Sequence, residues 1–231
     1  MLEPDSLARF AGLLADRSRA AICLALLDGR AWTVGELARI ADIAPSTASE
    51  HVSLLVDAGL LATERQGRHR YVRLAGSEAA ALVEDLAAVA GVRTRPQSLR
   101  AVRADTELAA GRTCYDHLAG RLGVWLLDGM LGAGFVDTRG GLAVSISGTR
   151  WLGGLGVPVT AAGRRPVVRT CLDWTERRPH LSGLVGARLC AALVTQRWVE
   201  RGARARAMGL TASGREQLTA ALDCPPPEPY G

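Results

Sequence analysis

Residues 33–74 read TVGELARIADIAPSTASEHVSLLVDAGLLATERQGRHRYVRL, and this stretch decides the fold of the first part of the chain. Thr33 and Glu36 have the spacing of a capping box, in which each side chain bonds a backbone N–H at a helix start. Apolar residues then recur at helical spacing as far as Ala41. The pattern predicts a short amphipathic helix, followed by a turn at residues 42–44.

A second helix is predicted to start at Pro45, because proline suits the first helical position, where its missing N–H costs nothing. Four apolar residues fall on one face of this helix: Ala48, Val52, Leu55 and Val56. The other faces are polar, and they are rich in small hydroxyl side chains near the N-terminal end. Gly59 is predicted to close the helix in the left-handed conformation.

Two strands are predicted next, because residues 60–64 and 69–74 alternate between apolar and polar side chains. The turn between them, residues 65–68, carries charge at its tip. Two short helices followed by such a hairpin are the pattern of a winged helix-turn-helix, which places one helix in the DNA major groove and a hairpin beside it.

This fold predicts which side chains reach DNA. The hydroxyls of Ser46, Thr47 and Ser49 are expected to contact bases or phosphates from the second helix, and His51 a phosphate. The hairpin is expected to hold the phosphate backbone through its basic residues, a contact that adds affinity without reading sequence. Those residues are Arg65, Arg68, His69 and Arg70.

Residues 5 to about 90 resemble the ArsR/SmtB family of bacterial repressors. The most specific matches are Ser49-x-His51 followed by Leu55 and Ala58-Gly59-Leu60, and the hairpin pattern Arg65-x-Gly67-Arg68-x-x-Tyr71-x-x-Leu74. The resemblance implies a homodimer that binds an inverted-repeat operator in double-stranded DNA and releases it when an effector binds. It also implies that the first helix and the helix at 77–90 form the dimer seam. The alternative is a non-enzymatic adaptor whose winged helices bind protein.

Composition restricts the remaining possibilities. No apolar stretch is long enough for a membrane span, and the N-terminus lacks the layout of a signal peptide, so a cytoplasmic protein with no membrane partner is expected. All 28 basic residues are arginine, but residues 1–90 contain 9 Arg against 12 acidic residues. The high overall pI is therefore no evidence for DNA binding. Five cysteines without a close pair argue against a disulfide framework.

The fold class is expected to be mainly α with small β-hairpins (α+β). The predicted divisions are a winged helix at 1–90, a linker helix within 91–111, a C-terminal domain at 112–223 and a disordered tail at 224–231. An internal repeat defines the C-terminal domain: RTCYD at 112–116 recurs as RTCLD at 169–173, and HLAGRLG at 117–123 recurs as HLSGLVG at 180–186. The second copy carries a six-residue insertion between Asp173 and His180. We predict two winged-helix-like repeats, 112–157 and 169–222, related by a pseudo-twofold.

If the halves pack around a local twofold, their repeated residues should approach each other, namely Cys114, Asp116 and His117, and Cys171, Asp173 and His180. Three interpretations are open. The expected one is structural, with Asp capping a helix, His bonding a carbonyl and Cys filling core. The others are a small-molecule effector pocket and a site for zinc or another thiophilic ion. The two spacings, Cys-x2-His and Cys-x8-His, match no established zinc signature.

Other functional sites find less support. Metal-sensing members of the family carry ligands that are missing here from residues 34–38 and 77–90. No metal is therefore expected at those positions, and no cofactor is assigned. Tryptophans suggest a ligand pocket in the second half, with Trp174 in a charged loop, although core packing is the commoner role. The glycine run at 129–134 does not follow a strand as a nucleotide-binding loop would, so no enzyme is predicted.

Overall fold

The computed structural model describes residues 3–66, 69–90, 106–163, 165–173, 175–204 and 206–228. The chain divides into two compact units, residues 1–84 and 85–231. The predicted fold class, α+β with a winged helix first, is confirmed. The break falls six residues before the predicted end at residue 90. Most of the predicted linker helix lies outside the described residues, and residues 106–110 are helical.

The first unit contains helices α1 (Pro4–Leu14), α2 (Arg17–Ala25), α3 (Val34–Ala41) and α4 (Pro45–Asp57), and α5 (Ser77–Val89) begins in it. Strands β1 (Trp32–Thr33), β2 (Leu61–Gln66) and β3 (His69–Leu74) form one antiparallel sheet in the order β1-β3-β2. A short 3-10 helix, Leu26–Asp28, follows α2. This arrangement is a winged helix-turn-helix.

Local signals place these elements. The capping box at the start of α3 is complete, because Glu36 N–H donates to the Thr33 hydroxyl and Thr33 N–H donates to the Glu36 carboxylate. Pro45 begins α4, and Gly59 follows that helix with a φ of 74°. The faces of α2, α3 and α4 that bury Ile22, Leu37 and Leu55 meet in one apolar core. Cys23 lies among the apolar residues of α2 in the sequence, a pattern that predicts core packing, and its side chain is wholly buried.

The second unit repeats one order of elements, two strands, a helix, two strands and a helix. The first half contains β4 (Arg112–Cys114), β5 (His117–Ala119), α6 (Gly120–Gly132), β6 (Val136–Asp137), β7 (Ala143–Val144) and α7 (Ile146–Gly154). The second contains β8 (Arg169–Leu172), β9 (Pro179–Ser182), α8 (Gly183–Thr195), β10 (Val199–Arg201), β11 (Met208–Leu210) and α9 (Ala212–Leu222). Each pair of strands is an antiparallel hairpin.

The two halves share one core and pack reciprocally. Helix α6 contacts β9 of the second half, and helix α8 contacts β5 of the first. Two glycines are required by a close contact within each half. An added Cβ at Gly123 would lie 2.4 Å from the Leu118 carbonyl oxygen, and one at Gly186 would lie 2.7 Å from the Leu181 carbonyl oxygen. The shared positions of these glycines in the repeat HL-x-G-x-x-G follow from this contact, in which the helix lies against a backbone carbonyl of the preceding strand.

Two details of the sequence-based prediction were wrong in this unit. The residues around the repeated RTC motifs form the hairpins β4–β5 and β8–β9, which were not predicted. The apolar runs at 124–131 and 187–194 predict a helix over each run, but α6 and α8 begin earlier, at Gly120 and Gly183. Both glycines have φ near 75°, so each allows the chain to turn directly from a strand into a helix.

The tail is described as far as residue 228 and has no regular secondary structure there, while residues 229–231 lie outside the described part. None of the helices in the described ranges combines the length and apolar character that a bilayer crossing requires.

Candidate functional site

The N-terminal half of α4 forms a polar, accessible edge of the winged helix. Ser46 is exposed, and Thr47 and Ser49 are half-buried. Of the four residues predicted for the opposite face, Ala48, Val52 and Leu55 are buried and Val56 is half-buried. The core contacts therefore determine which side of α4 faces solvent, and that side carries the short hydroxyl side chains that a recognition helix offers to base edges.

Two arginines lie directly opposite each other in the β2–β3 hairpin. The strand register pairs Arg65 with Arg70, so their side chains share one face, and Arg65 is exposed. Within the described residues neither guanidinium forms an ion pair. Like charges across a strand pair destabilise a hairpin unless an anion binds between them. The register places His69 opposite Gln66, and Arg68 lies outside the described residues.

His51 differs from the other residues predicted to contact DNA. Its side chain is only 16% exposed, and its Nε2 lies 3.7 Å from the carboxylate of Asp16, the residue that caps α2. That carboxylate would repel a phosphate placed at the same nitrogen. The geometry therefore favours a role for His51 in the packing of α4 against the start of α2.

A second candidate site is a buried cluster in the C-terminal unit. Cys114 and His117 are paired residues at the end of the β4–β5 hairpin, and Cys171 and His180 are paired in the β8–β9 hairpin. The four side chains are buried, and one thiol or ring nitrogen from each lies within 4.8 Å of the others. The structure thus brings together residues that are up to 66 positions apart. Trp174, the candidate effector contact in the charged loop, falls outside the described residues.

Each histidine of the cluster is backed by an aspartate. His117 Nδ1 lies 3.1 Å from an Asp116 oxygen, and His180 Nδ1 lies 3.4 Å from an Asp173 oxygen. The second contact lies at the limit of hydrogen bonding, and its angle is poor enough that Nδ1 makes no proper hydrogen bond to a described residue. These contacts contradict the expectation that each histidine would bond a backbone carbonyl.

Both aspartates are held by arginines. Arg165 donates to both oxygens of Asp116, at 2.6 and 2.9 Å. Arg112 donates to Asp173 at 2.9 Å, and both of these side chains are almost wholly buried. Asp173 also accepts from the N–H of Gly120, across the interface between the halves, so the expected helix-capping aspartate caps the helix of the other half.

The electrostatics of the cluster follow from these contacts. Burial by itself would raise the pKa of Asp116 and Asp173, but the neighbouring arginines and hydrogen bonds outweigh it and lower both pKa values. A hydrogen bond from the Cys114 thiol, helped by the two imidazoles, lowers the pKa of Cys171 despite its burial. Burial instead raises the pKa of Cys23 to about 12 and that of Cys190 to about 11. The cluster thus favours a thiolate where ordinary core cysteines do not.

The tryptophans of this unit contribute to its core. Trp125 is buried in the central apolar cluster, and Trp151 and Trp198 pack against that cluster. Trp151 stacks on Phe135 with ring centroids 4.9 Å apart. Among the described tryptophans of this unit, core packing accounts for the apolar side chains that the sequence also suggested as a ligand pocket.

A winged helix with an exposed polar recognition helix and an arginine-bearing hairpin defines a DNA-binding protein of the helix-turn-helix class. The family described as "Helix-turn-helix domain" matches residues 14–64. A Bacillus subtilis (strain 168) protein, named "Uncharacterized HTH-type transcriptional regulator YdfF", is 38% identical over 215 residues, which cover 91% of this chain and 94% of that protein. The chain therefore belongs to the HTH-type transcriptional regulators, and its winged helix is ArsR-like.

Two solved structures illustrate the similarity of part of the chain to known proteins. One is the homodimeric winged helix-turn-helix DNA-binding domain of Mb0332 from Mycobacterium bovis, a possible ArsR-family transcriptional regulator. It is 31% identical in sequence, the match covers 37% of this chain and 79% of that chain, and the TM-score is 0.34. The other is reduced HlyU from Vibrio cholerae, with 26% identity, 37% of this chain and 88% of that chain covered, and a TM-score of 0.34.

Proposed function

We propose that this transcriptional regulator is a dimeric repressor that binds an inverted-repeat operator through α4 and the β2–β3 hairpin. The observation that carries the proposal is the arginine pair, Arg65 and Arg70, on one face of the hairpin without a carboxylate partner among the described residues. Such a pair is electrostatically unfavourable in the unbound protein and is relieved when a phosphate binds between the two guanidinium groups.

The residues proposed to contact DNA divide by role. Ser46, Thr47 and Ser49 are assigned to bases or nearby phosphates, because α4 presents their hydroxyls at its N-terminal end. Arg65 and Arg70, with Arg68 and His69 from the sequence pattern, are assigned to the phosphate backbone. His51 is assigned the smallest direct contribution, since Asp16 lies beside its Nε2.

A mobility-shift titration at several salt concentrations tests the role of the hairpin. Arg65→Ala should weaken binding to all sequences alike and reduce the slope of log K against log salt by about 0.9, the value for one phosphate contact. Arg150→Ala, at an exposed arginine of the C-terminal unit, is the matched control and should leave the slope unchanged. An unchanged slope for Arg65→Ala would exclude the proposed phosphate contact.

Homodimer formation is supported by the apolar face of α1. This helix carries Leu7, Phe10 and Leu14 at helical spacing, yet none of its residues is buried within one chain, and Leu7 is 71% exposed. In α5, Leu86 is 46% and Val89 83% exposed. Apolar helix faces of this kind are stable in water when a partner covers them. A second copy of the chain is the partner proposed here.

We also infer that the C-terminal unit receives the signal that releases the operator, and that its two halves are winged-helix-like repeats related by a local twofold. The reciprocal packing of α6 and α8 supports the symmetry. This unit also contains an open cleft of about 680 Å³, lined by Arg121, Arg215 and Glu107 among others, which is large enough for a small molecule.

Selection from random oligonucleotides tests the operator assignment. The repressor account expects enrichment of an inverted repeat and higher reporter transcription from that sequence when the protein is removed. Lack of any enriched sequence would favour the alternative, an adaptor whose winged helices bind protein. If an inverted repeat is enriched but reporter transcription falls when the protein is removed, the protein is an activator.

A further inference from the structure

The cluster of Cys114, His117, Cys171 and His180 has the donor set of a tetrahedral metal site. Each half of the C-terminal unit supplies one thiol and one imidazole from its first hairpin. The two Sγ atoms are 3.7 Å apart, and the two Nε2 atoms are 3.2 Å apart. A tetrahedral zinc ion with bonds of about 2.3 Å to sulfur and 2.05 Å to nitrogen requires separations of about 3.8 and 3.3 Å. The observed separations match both values.

The aspartates beside the two Nδ1 atoms favour the tautomer in which each Nε2 can bind a cation. When His117 donates Nδ1–H to Asp116 and His180 carries its proton on Nδ1, 3.4 Å from Asp173, the lone pairs of both Nε2 atoms face each other across 3.2 Å. Two lone pairs at that distance repel unless a proton or a metal ion lies between them. Histidine ligands of zinc characteristically donate the N–H of their other ring nitrogen to a carboxylate, as His117 does to Asp116.

The charges of the site also balance around a divalent cation. Two thiolates neutralise one 2+ ion, while Arg165 neutralises Asp116 and Arg112 neutralises Asp173. A buried ionic cluster without net charge avoids the desolvation penalty that makes isolated buried charges costly. Thiolate and imidazole ligands select zinc over magnesium or calcium, which prefer oxygen.

We propose that Cys114, His117, Cys171 and His180 bind one zinc ion, which joins the two halves of the C-terminal unit. Four protein ligands complete the coordination, and their burial leaves no position for a substrate, so the role of the ion is structural. This site lies in a different place from the metal positions of the family that the chain resembles. The proposal does not depend on operator binding and is tested separately from it.

Metal content gives the direct test. The full-length wild-type protein, stripped of metal by a chelator under reducing conditions and then given Zn²⁺ alone, should take up about one ion per chain, as a single closed site requires. The Cys114→Ser/Cys171→Ser double variant should take up less than about a tenth of that amount. Cys224→Ser, at a cysteine outside the cluster, is the control and should still bind one ion. A wild-type protein that takes up no zinc would overturn the proposal.

Cobalt substitution provides a readout that does not require the variants to fold. Co²⁺ added to the stripped wild-type protein should give the intense d–d bands of tetrahedral coordination together with sulfur-to-metal charge transfer. Weak octahedral bands without charge transfer would refute the assigned ligands. An intact mass two hydrogens below the reduced value, located to a Cys114–Cys171 disulfide in the protein as isolated from the cell, would also refute it.

The aspartate that backs His117 provides a milder perturbation. Asp116 is partly exposed and lies outside the proposed coordination sphere, so Asp116→Asn should fold and should lower zinc affinity by ~10–100-fold. Asp128→Asn, which changes a surface aspartate of the same unit, should leave affinity unchanged. Equal affinities in the two variants would contradict the carboxylate–histidine–metal arrangement.

Discussion

Replacement of Asp173 by asparagine should destabilise the C-terminal unit far more than any surface change of the same chemistry. The Asp173 side chain is fully buried, and one of its oxygens accepts from Arg112 at 2.9 Å and from Gly120 N–H at 2.6 Å. The other oxygen accepts from the Thr175 hydroxyl and N–H and from Glu176 N–H. Asparagine retains only one acceptor oxygen, so its NH₂ group must face at least two of these five donors.

The magnitude follows from the buried charge that remains. With Asp173 neutral, the Arg112 guanidinium stays buried without its counter-charge, and removing one partner of a buried ion pair costs about 3–5 kcal/mol. For a urea dependence of ~2 kcal/mol per molar, the unfolding midpoint should fall by about 2 M. The control is Asp128→Asn. Asp128 pairs with Arg178 at 2.9 Å, but the two side chains are 39% and 58% exposed. This variant should therefore lose less than about 1 kcal/mol of unfolding free energy.

Tryptophan fluorescence during urea unfolding measures both variants, because four of the five tryptophans belong to the C-terminal unit and only Trp32 reports on the first. The transition of the C-terminal unit should move in Asp173→Asn, whereas that of the winged helix should not. An Asp173→Asn midpoint within about 0.5 M of the Asp128→Asn midpoint would show that the buried pair contributes no more than a surface pair.

Two further predictions concern the backbone and the proposed dimer. Gly120 has a φ of 73°, and an added Cβ would lie 2.7 Å from the Ala109 carbonyl oxygen. Gly120→Ala should therefore lower the free energy of unfolding by ~1–3 kcal/mol, as measured by thermal unfolding. Gly132→Ala, at the end of the same helix with open space around it, should be neutral or stabilising, and equal losses would contradict the argument. Leu7→Glu should convert the proposed dimer to a monomer in sedimentation experiments. Arg9→Glu, on the opposite face of α1, should leave the dimer intact. A Leu7→Glu variant that remains dimeric would exclude α1 from the interface.

Sequence reasoning worked where a few neighbouring residues determine the conformation. The capping box of Thr33 and Glu36, the helix start at Pro45 and the left-handed Gly59 are all local features, and each was confirmed. Local interactions of this kind operate within a few residues, so their spacing along the chain is sufficient evidence. The same reasoning located the apolar face of α4 and thereby its polar face.

Sequence reasoning did not predict the hairpins around Cys114 and Cys171. Strands of three or four residues carry too short an alternation to be recognised, and their stability depends on a partner strand and on the helices packed against them. The turn in the first hairpin places Tyr115 at a φ of 55°, a conformation that its residue type does not suggest. The early starts of α6 and α8 were missed because both helices begin at a glycine, a residue type that disfavours helix, and because Ala119 offers no capping side chain.

The sequence alone was enough to identify a winged helix, its polar recognition face and an internal repeat, because periodicity, caps and repetition can all be read along one chain. Only the tertiary structure placed Cys114 and His117 within reach of Cys171 and His180, from the other half of the repeat. The spacing within each motif contains no information about that distance, which is determined by the reciprocal packing of α6 against β9 and of α8 against β5. A set of metal ligands divided between two distant segments can be identified only from the folded structure, because packing in the shared core brings those segments together.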